Sequence, residues 1–275
     1  MKKIIFIFTL MFIDLFGIEI IDLKNSKTLN YQEFMQEISN YKFILLGEFH
    51  DNFYHHELRS KIIKSFDANK TTVIAEHFDF GKKIDPDTDI LKSLKEAGFD
   101  EIGWQWPIHQ KLFESIINSK IDFIGGNLPK NKKPQNISEL EKLIAQTPLD
   151  QNATNALEDD LIVGHCNMIS KKQTKPMKII QMQKDASMAI ALTKFQRDIN
   201  FLIAGNGHIQ KNYGIPRLLN HLNPNQKNIS VGFFGTNQFD IKELENYSKL
   251  WDFAILTQDV EQEDMCAKFK NKMEK

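Results

Sequence analysis

Twice in succession a short apolar run leads straight into a glutamate and a histidine: Ile44-Leu45-Leu46-Gly47-Glu48-Phe49-His50, then Thr72-Val73-Ile74-Ala75-Glu76-His77. Apolar runs of this length, unbroken by polar alternation, read as strands buried on both faces, the habit of parallel sheets covered by helices. Few folds accept such strands. Those that do keep their chemistry outside the carboxyl ends of the strands, where both Glu-His pieces fall. Glu48 and His50 are one residue apart, so on extended backbone they face the same side, as a ligand pair or an acid/base pair requires.

The remaining chain keeps alternating between the two periods. Helical spacing covers Thr28 to Asn40 (Leu29, Phe34, Met35, Ile38), with Thr28 and Asn30 as caps. It recurs at Asn52 to Ser65 (Leu58, Ile62, Ile63), at Ile90 to Ala97 closed by Gly98, and at His109 to Asn118 (Leu112, Phe113, Ile116, Ile117). Strands are expected at Tyr41 to Leu46, Thr72 to Ala75, Ile121 to Ile124, Asn200 to Ala204, Ile229 to Phe234 and Phe253 to Leu256. Asn131 to Asn136 reads as a solvent-facing connection, and from Ser138 to about Lys194 only helices are expected. The class is therefore α/β: a mostly parallel sheet with helices on both faces and an all-helical insertion, at about 138–195, over the carboxyl edge of the strands. With 275 residues and no internal repeat, a single domain over 18–275 is expected after a leader.

That leader is read from Lys2 and Lys3 followed by the apolar run Ile4 to Ile13, the pattern of a secretory signal peptide over 1–17. Asp14 ends the run too early for it to span a bilayer. An exported protein of the cell envelope, at the periplasm or outer membrane, is the expectation. Its two cysteines, Cys166 and Cys266, could then form one disulfide, and without a Cys-x-x-Cys pair a thiolate zinc site is not expected. The near-zero net charge of -1 gives no overall field for nucleic acid. Phe outnumbers Tyr by 21 to 5, which points to large apolar packing surfaces or an apolar pocket.

Four strand ends converge in this reading, carrying Glu48 and His50, Glu76 and His77, Asn127, and His208. Glu48, His50, Glu76 and His208 could bind a divalent metal or activate water, a carboxylate acting as base and an imidazole as ligand or acid. There is no Gly-x-Ser-x-Gly elbow and no Walker loop. His55 and His56 read as solvent or capping contacts in the first turn of a helix, and Cys166 and Met168 as packing residues. Tyr213 follows Lys211 and His208 in a loop bounded by glycine. A phenol can ligate ferric haem while Lys and His neutralise propionates, and the same local sequence also suits a tyrosine packed at a pocket edge.

Gly47-Glu48-Phe49-His50-Asp51-Asn52, His55-His56, Ala75-Glu76-His77-Phe78, Gly164-His165-Cys166-Asn167-Met168, Gln183 with Asp185 and Met188-Ala189, and Ala204-Gly205-Asn206-Gly207-His208 with Gly214-Ile215-Pro216 occur in this order. Together they resemble the ChaN-like haem-binding, iron-regulated proteins, and more distantly the erythromycin-esterase and Tiki-like superfamily. The resemblance implies haem as cofactor, bound between the two protomers of a homodimer, and envelope components of haem or iron uptake as partners. It places Tyr213 as axial ligand of the haem iron, with His208 and Lys211 at the propionates or pocket wall, and implies a binding protein rather than an enzyme. The distant resemblance implies the alternative, a metal-dependent or Glu/His-assisted hydrolase built on Glu48, His50, Glu76 and His208.

Overall fold

A computed structural model describes residues 17–85, 89–130, 137–261, 266–267 and 270. The leader expectation over residues 1–17 therefore falls almost wholly outside the described residues, as does the connection at 131–136. The chain runs β1 (Glu19–Asp22), β2 (Lys27–Leu29), α1 (Tyr31–Ile38), β3 (Phe43–Leu46), α2 (Phe53–Lys64), β4 (Thr71–Asp79), α3 (Ile90–Glu96), α4 (Gln110–Asn118), β5 (Asp122–Asn127), α5 (Ile137–Gln146), α6 (Gln151–Gly164), α7 (Lys171–Lys194), β6 (Ile199–Ile203), α8 (Ile215–Leu222), β7 (Asn228–Gly235), α9 (Leu244–Leu250) and β8 (Phe253–Thr257).

All strands join one sheet in the order β2-β1-β8-β7-β3-β6-β4-β5. From β8 to β5 every pairing is parallel, while β1 and β2 add an antiparallel edge. The sheet is thus mostly parallel, as the apolar runs predict, and each of the six expected strands is present. The antiparallel hairpin corrects the reading of Thr28 as helical. Lys27–Leu29 pairs with β1, and the helix begins only after Asn30, whose side chain accepts from Glu33 N–H at 2.9 Å while the Glu33 carboxylate accepts from Asn30 N–H at 2.9 Å.

Helices cover both faces. Phe34 and Ile38 of α1, Leu58, Ile62 and Ile63 of α2 and Leu112, Phe113 and Ile116 of α4 pack on one side with Ile44, Leu46, Val73 and Phe201. On the other, Met188 to Leu192 of α7 and Ile215, Leu218 and Leu219 of α8 pack with Phe43, Leu45, Ile74 and Leu202. Each of the Leu, Ile, Phe, Val and Met side chains contributes about 1.5–3 kcal/mol by leaving water. Odd and even residues of β3 serve opposite faces, so the run Phe43-Ile44-Leu45-Leu46 has to be apolar throughout.

The all-helical stretch between β5 and β6 is α5, α6 and α7. The carboxyl half of α7 lies on the sheet, whereas Gln181, Lys184 and Asp185 stand at the carboxyl edge of the strands, where Asp185 reaches His208. Cys166, in the loop after α6, is bonded to Cys266 of the C-terminal segment and ties this lobe down. That corrects its reading as a packing residue: Cys166 is only half-buried and disulfide-bonded.

Candidate functional site

Strand β4 runs on to Asp79, past the expected end at Ala75, and its pairing with β5 shifts register between Ala75 and Asp79. Glu76 and His77 therefore lie inside the strand, and consecutive strand residues point to opposite faces. Glu76 turns towards α7 and His77 towards α2 and α4. One strand end thus feeds two separate polar clusters.

The cluster on the α7 side is an ion-paired chain. His208 Nε2 lies 3.1 Å from Glu76 Oε1, and His208 Nδ1 lies 2.5 Å from Asp185 Oδ1. Gly205 N–H donates to the other Glu76 oxygen at 2.9 Å, and Asn127 Nδ2 donates to the Glu76 carbonyl at 2.8 Å. Burial alone would lower the His208 pKa, but the Glu76 and Asp185 carboxylates outweigh it and push the imidazole up to about 10. It is an imidazolium at neutral pH. Burial works to raise Glu76, yet His208 holds it well below the usual carboxylate range, while burial of Asp185 prevails and raises it.

The second cluster gathers on Glu48, which follows β3. Its carboxylate is ion-paired with Arg59 Nη2 of α2, and both side chains are fully buried. Around it stand His56 Nδ1 at 3.3 Å, His77 Nε2 at 3.4 Å and His109 Nε2 at 3.8 Å, with His50 Nδ1 in direct contact. Arg59 Nη2 also donates to His56 Nδ1 at 2.7 Å, so His56 uses its Nε2–H to donate to the His50 carbonyl at 3.0 Å. Burial lowers His56 to about 4 and His55 to about 3, and lowers His77 and His109 well below the ordinary range, so these rings are neutral. Arg59 is lowered to about 9, again by burial. His50 alone keeps an exposed ring, which meets the cleft lined by Glu76, His77, Trp104, Asn127 and Lys184.

Glycine lets the two clusters meet the same cleft. A Cβ on Gly205 would sit 3.3 Å from His50 Cε1, and one on Gly47 would collide with Asn206 Oδ1 at 2.0 Å. That Asn206 side chain receives Phe233 N–H and donates to the Phe233 carbonyl, fixing the turn after β6 against β7.

Glu48, His50, Glu76 and His208, expected to converge, do open on or back a single cleft, but as two groups. Reading the sequence missed Arg59 and His109 as partners of Glu48. It also placed His55 and His56 towards solvent or the helix cap, whereas both are buried, His55 Nδ1 accepting from Phe49 N–H at 3.1 Å. A histidine one turn before Arg59 was the available signal. Tyr213 lies elsewhere, 2 % exposed among Ala153 and Leu157 of α6, its hydroxyl donating to Asp160 Oδ2 at 2.6 Å. Burial and then the Asp160 charge raise its pKa well above the ordinary value, so it is a neutral phenol. Lys211 Nζ donates to Asp252 Oδ1 at 2.8 Å and to the Ser248 carbonyl at 2.9 Å.

Residues 34–219 match the family described as haem-binding uptake, Tiki superfamily, ChaN. The chain belongs to the ChaN family. Its fold is that of ChaN of Campylobacter jejuni, for which cofacial haem binding is described: the TM-score is 0.67 at 20% identity, covering 88% of this chain and 97% of that one. The type III effector HopBA1 (13% identity, 82% of this chain and 92% of that one, TM-score 0.41) and a succinoglycan biosynthesis protein (12%, 82% and 90%, TM-score 0.44) are more remote in structure. No curated protein matches the sequence significantly.

The His208 chain carries a pH prediction. Its folded pKa lies above the ordinary 6.5, so its contribution to stability is complete below pH 6.5 and fades as pH rises towards 10. His55 and His56 act in the opposite sense: they bind protons only when unfolded, so stability falls as pH drops from 6.5 towards 4. Urea unfolding followed across pH should give a maximum near neutrality. His208→Gln should flatten the alkaline limb, whose slope for one proton is about 1.4 kcal/mol per pH unit. An unchanged alkaline limb in the variant would show that His208 is not the group responsible.

Proposed function

We propose that this protein binds haem in a haem or iron uptake system of the cell envelope. The observation that carries the reading is the family match over residues 34–219. The Cys166–Cys266 disulfide supports export, since such bonds persist in oxidising compartments. Homodimerisation around haem and envelope transport partners belong to the same proposal.

The side chains expected at the haem do not fit it as they stand. Tyr213 is a buried donor to Asp160, His208 is held between two carboxylates, and Lys211 is paired with Asp252. Axial ligation by Tyr213 accordingly requires α6 to move away and the phenol to lose its proton. The surface of the lobe suits an apolar dianion better: Val163, Ile179 and Ile180 are exposed apolar side chains, and Lys171, Lys172 and Lys175 are exposed on α7. Haemin titration of the purified protein should give a saturable shift of the Soret band and an increase to dimer mass in sedimentation. A Tyr213→Phe variant should lose the phenolate charge-transfer band if the tyrosine is axial, and keep an unaltered spectrum if it is not. Failure of the wild-type protein to bind haemin would remove the proposal.

One observation favours a second reading: His50 and Glu76 line one cleft, backed by their partners Glu48 and His208, with the Glu76 carboxylate held anionic. Hydrolysis there predicts turnover of an ester or amide panel that Glu76→Gln abolishes.

A further inference from the structure

Among the described residues, Glu48, His50, His77 and His109 each offer a ligand atom, and those four atoms lie within 4.8 Å of one another. We propose that they form a binding site for a single divalent first-row transition-metal ion, held by three imidazoles and one carboxylate oxygen, and that it exchanges through the cleft at His50. The site does not depend on haem, and it differs from the hydrolytic set in excluding Glu76 and His208.

The first support is spacing. Bonds of about 2.0–2.2 Å to imidazole nitrogen or carboxylate oxygen put neighbouring ligand atoms of a tetrahedral ion roughly 3.3 Å apart. From Glu48 Oε1 the His77 and His109 Nε2 atoms are already 3.4 and 3.8 Å away, and His50 Nδ1 is in contact. The widest pair closes by up to about 1.5 Å, and the Glu48–His50 contact opens, through rotation of the side chains.

The second support is independent of spacing. His77 and His109 are buried, and neither nitrogen of either ring has a hydrogen-bond partner among the described residues. Buried polar atoms are nearly always satisfied, and leaving one unmade costs about 1–3 kcal/mol. Four such atoms on two touching rings, 4.7 Å between centroids, are hard to explain by packing alone. A metal ion facing both Nε2 atoms satisfies half of them at a stroke. His56, by contrast, has both its nitrogens engaged and lies outside the set.

The donor set indicates the chemical class of the ion. Imidazole with one carboxylate suits zinc, iron(II), cobalt or nickel and does not suit calcium or magnesium, which take oxygen ligands. Arg59 holds the second Glu48 oxygen, so only Oε1 is offered and the carboxylate would bind through one atom. Behind the rings stand Trp104 and Phe113 rather than carbonyl or carboxylate acceptors: His77 meets the Trp104 ring at 4.3 Å and His109 stacks on Phe113 at 5.4 Å. Histidine ligands without such acceptors lose about 10–100-fold in metal affinity. The ion is therefore expected to be exchangeable rather than permanently bound, in keeping with the exposed edge of His50.

The test uses the full chain with its disulfide intact, stripped with chelator and then dialysed against zinc or cobalt(II). Wild-type protein should retain close to one equivalent, and cobalt should give the intense visible bands of a four-coordinate ion. His50→Ala, at the exposed ligand, should weaken binding at least tenfold with little effect on folding. A His77→Phe, His109→Phe double variant, checked for its fold by circular dichroism, should retain none. Absence of bound metal in the wild-type protein would overturn the proposal, as would retention undiminished in both variants.

Discussion

Replacing Arg59 by methionine is expected to lower the stability of the protein by about 3–5 kcal/mol, because it leaves the Glu48 carboxylate buried without its counter-charge. For a domain of this size that is a fall in melting temperature of roughly 10 °C, at about 2–4 °C per kcal/mol. Both side chains have no exposed surface, so solvent screening does not soften the loss. The neighbouring rings cannot replace the arginine cheaply, since burial keeps His56, His77 and His109 neutral. A second substitution sharpens the point. Arg59→Met combined with Glu48→Leu removes both charges, and such paired replacement is commonly neutral or stabilising, so the double variant should recover most of what the single one loses. Thermal melts of the wild type, both single variants and the double variant close the cycle. A single-variant loss below about 1 kcal/mol would mean that water or a mobile side chain reaches Glu48 after all.

Removing the disulfide should have the next largest effect. Cys166 and Cys266 close a loop with a sequence separation of 100. Loop-closure entropy sets an upper figure of about 4.7 kcal/mol for such a loop, and native bridges commonly deliver about 2–4 kcal/mol. The Cys166→Ser, Cys266→Ser variant should therefore unfold at a clearly lower urea concentration than the oxidised wild type, and reductant should bring the wild type to the same midpoint. Hydrogen exchange should quicken in the last turn of α6, which the bridge holds against the C-terminal segment. Superimposable curves with and without reductant would show that the bridge adds nothing to the folded state.

What was legible in the sequence, and what was not, follows from how local each signal is. Central parallel strands are apolar on both faces, so Phe43-Ile44-Leu45-Leu46 and Asn200-Phe201-Leu202-Ile203 announce themselves without knowledge of their neighbours. The hairpin of β1 and β2 is short, polar on one side and at the sheet edge, and Lys27-Thr28-Leu29 carries no period long enough to separate strand from helix. Glu48, His50, Glu76 and His208 stood out because strand ends are few and three of the four that converge bear ionisable groups. Their division into two clusters did not, since it depends on β4 staying extended through Glu76 and His77 to Asp79, beyond the apolar run that marks the strand in the sequence. His109 lies two residues after Pro107 at the N-cap of α4, and no spacing links it to Glu48 across 61 positions. Tyr213 was conspicuous as the phenol beside Lys211 and His208, but its burial is set by α6, a separate element.

The position of β6 in the sheet sets a timetable. β3 and β4 are consecutive in the central sheet's chain order yet do not pair; β6 lies between them and pairs with both, Phe43 with Asn200 and Thr72 with Asn200, and it is synthesised only after the whole helical lobe. Contacts so far apart in sequence must be closed against a large chain entropy, which makes their formation slow. Until β6 is inserted, Glu48 and Glu76 belong to separate fragments and neither polar cluster can exist. The cleft is thus assembled only when β6 enters the central sheet, and a chain that stalls earlier leaves the flanks of β3 and β4 open to pair with strands of other molecules.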